Sequence, residues 1–179
     1  MAGSVRVFIA TSLDGFIAGE HDDLSWLPVP VEGGEDYGYA EFMQGTAALL
    51  MGRRTYDQVT AMEGGEWFYG DTPVYVATTR PLEDARPTVR AVRGDSAADL
   101  LAAVQADIGD GNVYLDGGTL IRSFLDAGLL DQVIVTVIPV VLGKGLPLFA
   151  GASFRKALEL QGSQAYADGL VQLRYTVID

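Results

Sequence analysis

Cysteine is absent from the 179-residue chain, and histidine occurs once, as His21. The absence of cysteine excludes a disulfide scaffold, a cysteine-ligated zinc or iron–sulfur site and a thiol nucleophile. A metal centre built from several histidines is excluded in the same way, and a serine–histidine–aspartate triad would depend on His21 alone. That residue stands beside Asp22 and Asp23 in a polar stretch, where we expect it to be exposed and without a catalytic role.

Basic residues are scarce as well, because 12 Lys and Arg stand against 24 Asp and Glu and give a net charge of −12. Nucleic acids and anionic membrane surfaces are bound by clustered Lys and Arg, so this balance argues against both as partners. Long apolar runs are missing too, since Thr136 and Pro139 interrupt residues 133–142, a run that is too short to cross a bilayer. The first residues show no basic segment followed by an apolar one, as a signal peptide needs, and a cytoplasmic protein is expected.

Short apolar runs do recur along the chain, and Gly, Pro and Asp separate them from amphipathic stretches. The apolar runs predict strands, and the amphipathic stretches between them predict helices. The predicted strands cover residues 5–11, 47–51, 73–77, 88–92, 112–115 and 132–141, and the predicted helices cover 37–45 and 54–62, a stretch after Ser96, and a stretch from about 118 to 127. Two alternating segments in the tail, residues 157–179, are joined by Ala167-Asp168-Gly169, which is a hairpin signal.

Helices between successive strands predict parallel pairing with right-handed crossovers, and the hairpin predicts an antiparallel edge. We therefore expect an α/β protein of one domain, residues 1–179, with eight strands in one mostly parallel sheet and about four helices. Ser96, followed three residues later by Asp99, resembles a capping box at the start of the third helix, although its acid is Asp rather than Glu.

The segment after the fifth predicted strand is the most informative about function. Asp116 leads into Gly117-Gly118 and then straight into a helix. Glycine leaves the unpaired N–H groups of a helix N-terminus open, without a Cβ in the way, and such a start suits a phosphate or pyrophosphate. The alternative is a tight strand–helix turn in which glycine only permits close packing.

Two other predicted strands end in the same type of sequence. Residues 52–55 (GRRT) follow the second strand, and residues 78–80 (TTR) follow the third. Arginine is suited to bidentate phosphate contact, whereas a pair of solvated arginines is the simpler interpretation. Because ligands of open α/β sheets bind at the carboxyl ends of the strands, the three segments together predict a phosphate-bearing ligand. The sequence has neither a GxGxxG fingerprint nor a P-loop.

The segment after the first strand, Ser12 to Gly15, could form one wall of the same pocket. Asp14 precedes a glycine and is most simply a turn residue. The alternative interpretation is that its carboxylate binds a substrate amine or a ribose hydroxyl.

Several of these segments resemble known families. Residues 51–56 (MGRRTY) resemble the MGRxTW/Y signature of dihydrofolate reductases, and residues 115–121 (LDGGTLI) are similar to their strand–Gly-Gly–helix segment. Residues 12–18 (SLDGFIA) resemble the SLDGxIA start of the related riboflavin-biosynthesis reductases, the RibD C-terminal domain family. Residues 128–131 (GLLD) and 138–143 (IPVVLG) also match that family, so the resemblance extends over residues 5–149 with the segments in the same order.

By this resemblance the fold is the three-layer α/β/α fold of dihydrofolate reductases, the cofactor is NADPH and the protein is a homodimer. The chemistry is hydride transfer from the nicotinamide to a C=N or C=O carbon of a small pterin, pyrimidine or related heterocyclic substrate. The cofactor-binding residues that the resemblance implies are Ala10, Ile17, Gly52, Arg53, Arg54, Thr55, Thr78, Thr79, Arg80, Gly117, Gly118, Thr119 and Leu120. Ala10 and Ile17 would line the nicotinamide, residues 78–80 would surround the adenosine 2′-phosphate, and residues 117–120 would hold the pyrophosphate.

The catalytic candidates are Asp14, Asp116 and Thr136, and no metal ligands are predicted. Thr136 falls on the strand that supplies a substrate-side threonine in dihydrofolate reductases. Asp116 stands where the riboflavin-type reductases have Glu, and it either orients substrate or cofactor or caps the helix that begins at Gly118.

Two departures from these families concern the substrate. Residues 26–28 (WLP) are similar to the segment that precedes the pterin-binding carboxylate of dihydrofolate reductases, but the next acids are Glu32, Glu35 and Asp36 in a glycine-rich stretch. The Asp-x-Pro-x-Leu-Thr-x-Arg segment of riboflavin-type reductases does not follow Thr55. These departures keep open an NADP(H)-binding protein on the same fold without efficient catalysis, and a structural or interaction module is a third hypothesis.

Overall fold

The secondary structure alternates strands and helices along most of the chain. The structure, a computed structural model, describes residues 3–29, 33–62, 67–83, 85–153 and 155–178, so Glu32 of the glycine-rich stretch lies outside the described residues. The strands are β1 (Val5–Ser12), β2 (Phe16–Ala18), β3 (Ala48–Gly52), β4 (Val74–Ala77), β5 (Val89–Val92), β6 (Val113–Asp116), β7 (Gln132–Ile138), β8 (Leu146–Pro147), β9 (Ala157–Ala165) and β10 (Val171–Ile178). The helices are α1 (Tyr39–Gln44), α2 (Arg53–Ala61), α3 (Ala97–Ile108) and α4 (Gly118–Asp126), with a 3₁₀ turn at Glu20–Asp22.

Eight of the strands form one sheet in the order β5-β4-β3-β6-β1-β7-β10-β9. The strands from β5 to β7 pair in parallel, and β10 is antiparallel to both β7 and β9. The predicted α/β class is therefore confirmed, including the mostly parallel eight-stranded sheet, the antiparallel C-terminal hairpin and the four helices.

Both faces of the sheet are covered, because successive side chains of a strand point to opposite faces. In β3, Ala48 and Leu50 belong to the core on one face, whereas Leu49 and Met51 belong to the core on the other. The buried helix residues in these cores are Ala97, Leu100, Val104, Ile121, Phe124 and Leu125 on the first face, and Phe42 and Tyr56 on the second. Helices α3 and α4 thus cover one face and α1 and α2 cover the other, as a three-layer fold requires.

Helix α3, with 12 residues, begins with a complete capping box. Ser96 Oγ accepts a hydrogen bond from Asp99 N at 3.2 Å, and the Asp99 carboxylate accepts one from Ser96 N at 3.0 Å. Aspartate thus closes the box as glutamate would. Across the residues that the structure describes, no helix combines the length and the apolar character needed to cross a bilayer.

The sixth predicted strand, residues 132–141, is shorter than expected, since β7 ends at Ile138. Pro139 follows directly and has no N–H to donate to the sheet. Farther on, the N–H groups of Leu142 and Gly143 donate to the carboxylate of Asp14, so this backbone is held by the β1–β2 turn instead of by the sheet. The prediction of a strand as far as residue 141 is wrong for this reason.

A second, two-stranded sheet of β2 and β8 was not predicted. These strands have three and two residues, too few to produce a periodic pattern in the sequence. Their approach depends on Gly145, which has a φ of +142° and where a Cβ would lie 2.1 Å from the carbonyl oxygen of Ala18. The pair places β2 beside the carboxyl end of the main sheet, where the candidate site lies.

Candidate active site

The strand register brings the three glycine-, hydroxyl- and arginine-containing segments together. Gly52 at the end of β3 lies opposite Ala77 at the end of β4, and Met51 lies opposite Asp116 at the end of β6. Because these strands are parallel and neighbouring, residues 52–55, 78–80 and 116–119 follow them at one edge of the sheet. The sequence prediction that these segments converge is confirmed by this register.

Two helices begin at this edge without a side-chain cap. Helix α2 starts after Gly52 and α4 starts after Gly117, and neither N-cap residue accepts a hydrogen bond with its side chain. The first N–H groups of a helix have no partner within the helix, and together with the helix dipole they attract anions. Both helix starts therefore offer N–H donors and partial positive charge to a ligand.

The two glycines at the start of α4 also permit close packing. Gly117 has a φ of +98°, and a Cβ there would lie 2.7 Å from Thr55 Oγ1. A Cβ on Gly118 would lie 2.9 Å from the Cδ1 atom of Ile17. These contacts support the close-packing alternative that the sequence left open, because both glycines admit neighbouring side chains and Gly118 is buried. They also bring Ile17, Thr55 and the start of α4 into one cluster.

A cavity of about 380 Å³ lies beside the start of α2, at the ends of β4 and β5. It is lined by Arg53, Ala77, Thr78, Thr79, Arg80, Val92, Arg93, Gly94 and Leu100. Three guanidinium groups and two threonines surround this space, and the described lining contains no acid. Arg93 was missed by the sequence analysis, although it follows the end of a predicted strand just as Arg53 and Arg80 do. The lining is suited to a phosphate group.

A second cavity of about 470 Å³ adjoins the first and shares Arg53 and Arg80 with it. The charge of this second space is mixed, because Asp57 and Glu83 also line it. Arg53 Nε donates to Asp57 Oδ1 at 2.7 Å, and Arg80 Nη2 lies 3.9 Å from Asp57 Oδ2. Asp57 therefore holds both guanidinium groups at the wall between the two cavities.

Arg54 is the one of the three predicted cofactor-binding arginines that does not line this cavity. Its guanidinium group pairs with the carboxylate of Asp22, in the 3₁₀ turn that follows β2. Arg53 and Arg54 are adjacent in sequence, but successive residues of a helix point in different directions. The assignment of Arg54 to a cofactor phosphate thus stays a prediction, and so do the assignments of Arg53 and Arg80, which do line the cavity.

On the other side of β6, Ala10 and Thr136 lie opposite each other in the pairing of β1 with β7. Thr136 is buried, and its hydroxyl accepts a hydrogen bond from Gln172 Nε2 at 3.1 Å. Gln172 is itself 1% exposed, and the same amide donates to the carbonyl of Tyr37 at 2.8 Å. Sequence analysis missed Gln172, because alternation in β10 indicates a face of the strand but not what the side chain meets there.

Asp116 ends β6 between these two regions. Its Oδ1 atom accepts a hydrogen bond from Gly117 N at 2.8 Å, so the carboxylate contacts the N-cap residue of α4. Burial raises the pKa of Asp116 to about 6, and the hydrogen bond from Gly117 opposes this rise. Burial also raises the pKa of Tyr39 to about 12, and the charge of Asp116 adds to this increase. Asp116 is thus a desolvated acid near tyrosine phenol groups, at the edge of the sheet where the parallel strands have their carboxyl ends.

Asp14 is exposed and makes three hydrogen bonds within the protein. Its carboxylate accepts from Ser12 Oγ at 2.6 Å, from Leu142 N at 3.1 Å and from Gly143 N at 2.7 Å. These bonds lower the pKa of Asp14, with the bond from Ser12 as the largest cause. The residue ties the β1–β2 turn to the loop after β7, and its assignment as a catalytic group stays a prediction.

Two uncapped helix starts and an arginine-lined cavity thus lie at the carboxyl ends of parallel strands, the position at which open α/β sheets bind their ligands. Residues 4–172 match the RibD C-terminal domain. The uncharacterized protein YwjB of Bacillus subtilis (strain 168) is 35% identical over 170 residues, which cover 94% of this chain and 95% of YwjB. The chain belongs to the RibD C-terminal domain family, as the sequence segments predicted.

Solved structures share this fold. The crystal structure of a "Putative riboflavin biosynthesis protein" from Shewanella sp. PV-4 superposes with a TM-score of 0.87 at 34% identity, over 98% of this chain and 99% of that one. A diaminohydroxyphosphoribosylaminopyrimidine deaminase/5-amino-6-(5-phosphoribosylamino)uracil reductase from Thermotoga maritima superposes with a TM-score of 0.70 at 20% identity. This second match covers 99% of this chain but 57% of the Thermotoga protein, and it shows the fold alone.

Proposed function

We propose that the protein is an NADPH-dependent reductase that transfers hydride to a small pterin, pyrimidine or related heterocyclic substrate. The observation that carries this proposal is the convergence of two uncapped helix N-termini with a cavity lined by Arg53, Arg80 and Arg93. The reductase activity in the name of the Thermotoga relative supports the same class of reaction. NADPH supplies the hydride when bound, and the protein supplies binding, orientation and the exclusion of water.

The residues at the edge fit the two anionic parts of NADPH. The N–H groups at the starts of α2 and α4 would hold the pyrophosphate. The three guanidinium groups of the cavity, with Thr78 and Thr79, would hold the adenosine 2′-phosphate. Because that phosphate distinguishes NADPH from NADH, this cavity is the basis for the choice of cofactor.

On the substrate side, Ala10 and Ile17 line the nicotinamide, and the hydroxyl of Thr136 orients the substrate. Hydride addition to a C=N or C=O carbon leaves the neighbouring nitrogen or oxygen to receive a proton. Asp116 holds that proton, because its pKa of about 6 lets it exchange protons close to neutral pH. Asp14 contributes indirectly by holding residues 142–143 against the β1–β2 turn.

One observation supports the alternative of an NADP(H)-binding protein without efficient catalysis. Glu35 and Asp36, the described acids that follow the WLP segment, are engaged with backbone N–H groups. Glu35 Oε1 accepts from Tyr37 N at 3.1 Å, and Asp36 accepts from Gly38 N and Ala40 N at 2.9 and 3.0 Å. Both acids thus serve the local turn before α1, rather than a pterin ring.

Equilibrium titration with NADPH and NADH tests the cofactor, and loss of the reduced-nicotinamide absorbance tests the reaction. Dihydrofolate, a 5-amino-6-ribosylaminouracil phosphate and simple pterins are the substrates to compare. We expect NADPH to bind more tightly than NADH and one substrate to be turned over. Failure to bind NADPH would contradict the proposal, and binding without turnover of any of the three would favour the alternative.

We further propose a homodimer formed through β9, at the free edge of the sheet. Every residue of β9 except Gly162 is exposed, and Leu158 and Leu160 are 38% and 54% exposed. Exposed edge strands with apolar side chains require a cover, and a two-fold axis pairs identical edges with each other. Light scattering should give about twice the chain mass of 19.1 kDa, and Leu160→Glu should give the monomer. A monomeric wild-type protein would contradict this assembly.

A further inference from the structure

The segment from β2 to the 3₁₀ turn, residues 16–22, crosses both of the uncapped helix starts. Ile17 lies against Gly118, the first residue of α4, where its Cδ1 atom is 2.9 Å from the position of a Cβ. Five residues later, Asp22 reaches the first turn of α2 and pairs with Arg54. A pyrophosphate at the two helix starts would therefore lie beside this segment, which is fixed at both ends.

A bidentate ion pair between Asp22 and Arg54 attaches residues 16–22 to α2. Arg54 Nε donates to Asp22 Oδ2 at 3.0 Å, and Arg54 Nη2 donates to Asp22 Oδ1. Gln58, one turn farther along α2, donates to the carbonyl of Asp22 at 3.5 Å. Arginine and carboxylate meet here in the parallel geometry that gives the most directional of the charge-assisted hydrogen bonds.

The backbone of the segment is unusual at the same point. His21 and Asp22 have φ values of +58° and +63°, a left-handed conformation that is uncommon for residues with a Cβ. The carbonyl of Asp23 then accepts hydrogen bonds from Gly19 N at 2.8 Å and from Trp26 Nε1 at 3.0 Å. The turn is thus closed by its own hydrogen bonds, and Trp26 is attached directly beside the ion pair. A strained turn persists where its surroundings hold it in place.

We propose that Asp22 is a positioning residue for cofactor binding. It holds the guanidinium group of Arg54 and so fastens residues 16–23 across the starts of α2 and α4. This inference rests on the proposed function, which places the pyrophosphate at those helix starts. Arg54 then acts through Asp22 and not by direct contact with a cofactor phosphate. Because the pyrophosphate is common to NADPH and NADH, the ion pair supports both nucleotides equally.

The test is Asp22→Asn, which removes the charge while asparagine retains the left-handed backbone as readily as aspartate does. Arg54 is 66% and Asp22 29% exposed at the side chain, so the loss is of the size expected for a surface pair. We expect the Kd values for NADPH and for NADH to rise by the same factor, about two- to fivefold. Glu20→Gln is the matched control, since it removes the same charge from an exposed side chain in the same turn.

Two further measurements separate positioning from a general loss of structure. In an Arg54→Gln background, Asp22→Asn should have no additional effect, because the partner is already absent. In a Trp67→Phe background, Trp26 is the one remaining tryptophan of the 2 in the chain. Without nucleotide, acrylamide should quench its fluorescence more in Asp22→Asn than in wild type, and Glu20→Gln should match the wild type.

Three outcomes would overturn the inference. Tighter binding of NADPH by Asp22→Asn would mean that Asp22 competes with a cofactor phosphate for Arg54. Unchanged Kd values would mean that the segment does not influence the site, and additive effects in the Arg54→Gln background would mean that Asp22 acts by another route. Wild-type protein that binds neither nucleotide would instead overturn the proposed function, while the Trp26 comparison without nucleotide would still test the fastening.

Discussion

Helix α3 and helix α4 begin in opposite ways, although both follow strands of the same sheet. Ser96 and Asp99 satisfy the first N–H groups of α3 with their side chains. At α4 the N-cap residue is Gly117, and no side chain caps the start. A glycine N-cap is less favourable than a Ser, Thr, Asp or Asn N-cap by roughly a few tenths of a kcal/mol. Under the proposed function, the cofactor pyrophosphate would take the place of the missing cap at α4.

The acids at the two helix starts, Asp99 and Asp116, also differ in their exposure to solvent. Asp99 is exposed and completes the box of α3. Asp116, just before α4, is desolvated and has its pKa raised to about 6. Asp99 stabilises helix α3, whereas the burial of the Asp116 carboxylate lowers the stability of the folded protein when this group is charged. Four predictions, given from the largest expected effect to the smallest, test this contrast between the capped start of α3 and the uncapped start of α4.

Gly117→Ala, at the start of α4, should have the largest effect of the four changes. The new Cβ would lie 2.7 Å from Thr55 Oγ1 at a φ of +98°, and such strain costs about 1–3 kcal/mol. We expect a lower melting temperature and a roughly tenfold or larger rise in the Kd of NADPH, because α4 has to shift. Gly52→Ala is the control for stability, since Gly52 has a φ of −73° and no atom within 4 Å of a Cβ. Equal loss of stability in the two variants would contradict this argument.

Arg53→Ala combined with Arg80→Ala should weaken NADPH by about ten- to a hundredfold and NADH by much less. Hydrogen bonds to charged groups contribute about 1.5–3 kcal/mol, solvent weakens the contribution of the exposed Arg80 side chain, and only NADPH carries the 2′-phosphate. Calorimetric titration with both nucleotides measures the ratio. Arg90→Ala is the matched control, since its guanidinium group pairs with Asp107 at 2.7 Å and does not line either cavity. Equal loss for both nucleotides would place the 2′-phosphate elsewhere.

Asp116→Asn should stabilise the fold at pH 7–8 while it lowers kcat/KM. A pKa of about 6 lies above the usual value of about 3.9, so the folded protein binds more protons between these values. The free energy of unfolding therefore falls as pH rises toward 6, by about 1–3 kcal/mol in total, and the loss remains above that pH. Melting temperatures at pH 5, 6, 7 and 8 should show a gain for the variant that grows up to about pH 6 and then levels off. A gain that is independent of pH would contradict this assignment.

Ser96→Ala should have the smallest effect, and an effect on stability alone. Loss of this cap costs about 1 kcal/mol, or roughly 2–4 °C in melting temperature for a chain of this size. The Kd of NADPH should stay at the wild-type value, because α3 starts with its N–H groups already satisfied. A loss of affinity as large as that of Gly117→Ala would remove the distinction between the two helix starts.

Much of the fold could be predicted from the sequence, because it depends on local patterns. Apolar runs predicted the strands of the main sheet, and amphipathic stretches predicted the helices that cover it. The alternating segments of the tail predicted the C-terminal hairpin. The β2–β8 pair could not be predicted in this way, since it depends on a contact between Ala18 and Gly145. These two residues are far apart in the chain. The end of β7 was misplaced because Asp14 captures residues 142–143, a contact that no local pattern records.

The candidate site was predictable to the level of backbone position, but not to the level of side-chain direction. Strand ends followed by glycine or arginine correctly indicated which segments converge. Arg53 and Arg54 look equivalent in the sequence, yet one lines the cavity and the other pairs with Asp22. That choice depends on the path of residues 16–22. Gln172 could not be found for the same reason, since its partners come from β7 and from the turn before α1.

The loop after β7 also has a consequence for how the chain tolerates substitution. Gly143 has a φ of +72° and no atom within 4 Å of a Cβ, so a residue that accepts left-handed backbone, such as asparagine, fits there. At Gly145 a Cβ would meet the carbonyl oxygen of Ala18 at 2.1 Å, and no side chain fits. In a library that contains every substitution at the two glycines beside Lys144, we therefore expect position 143 to accept other residues. Position 145 should accept glycine alone.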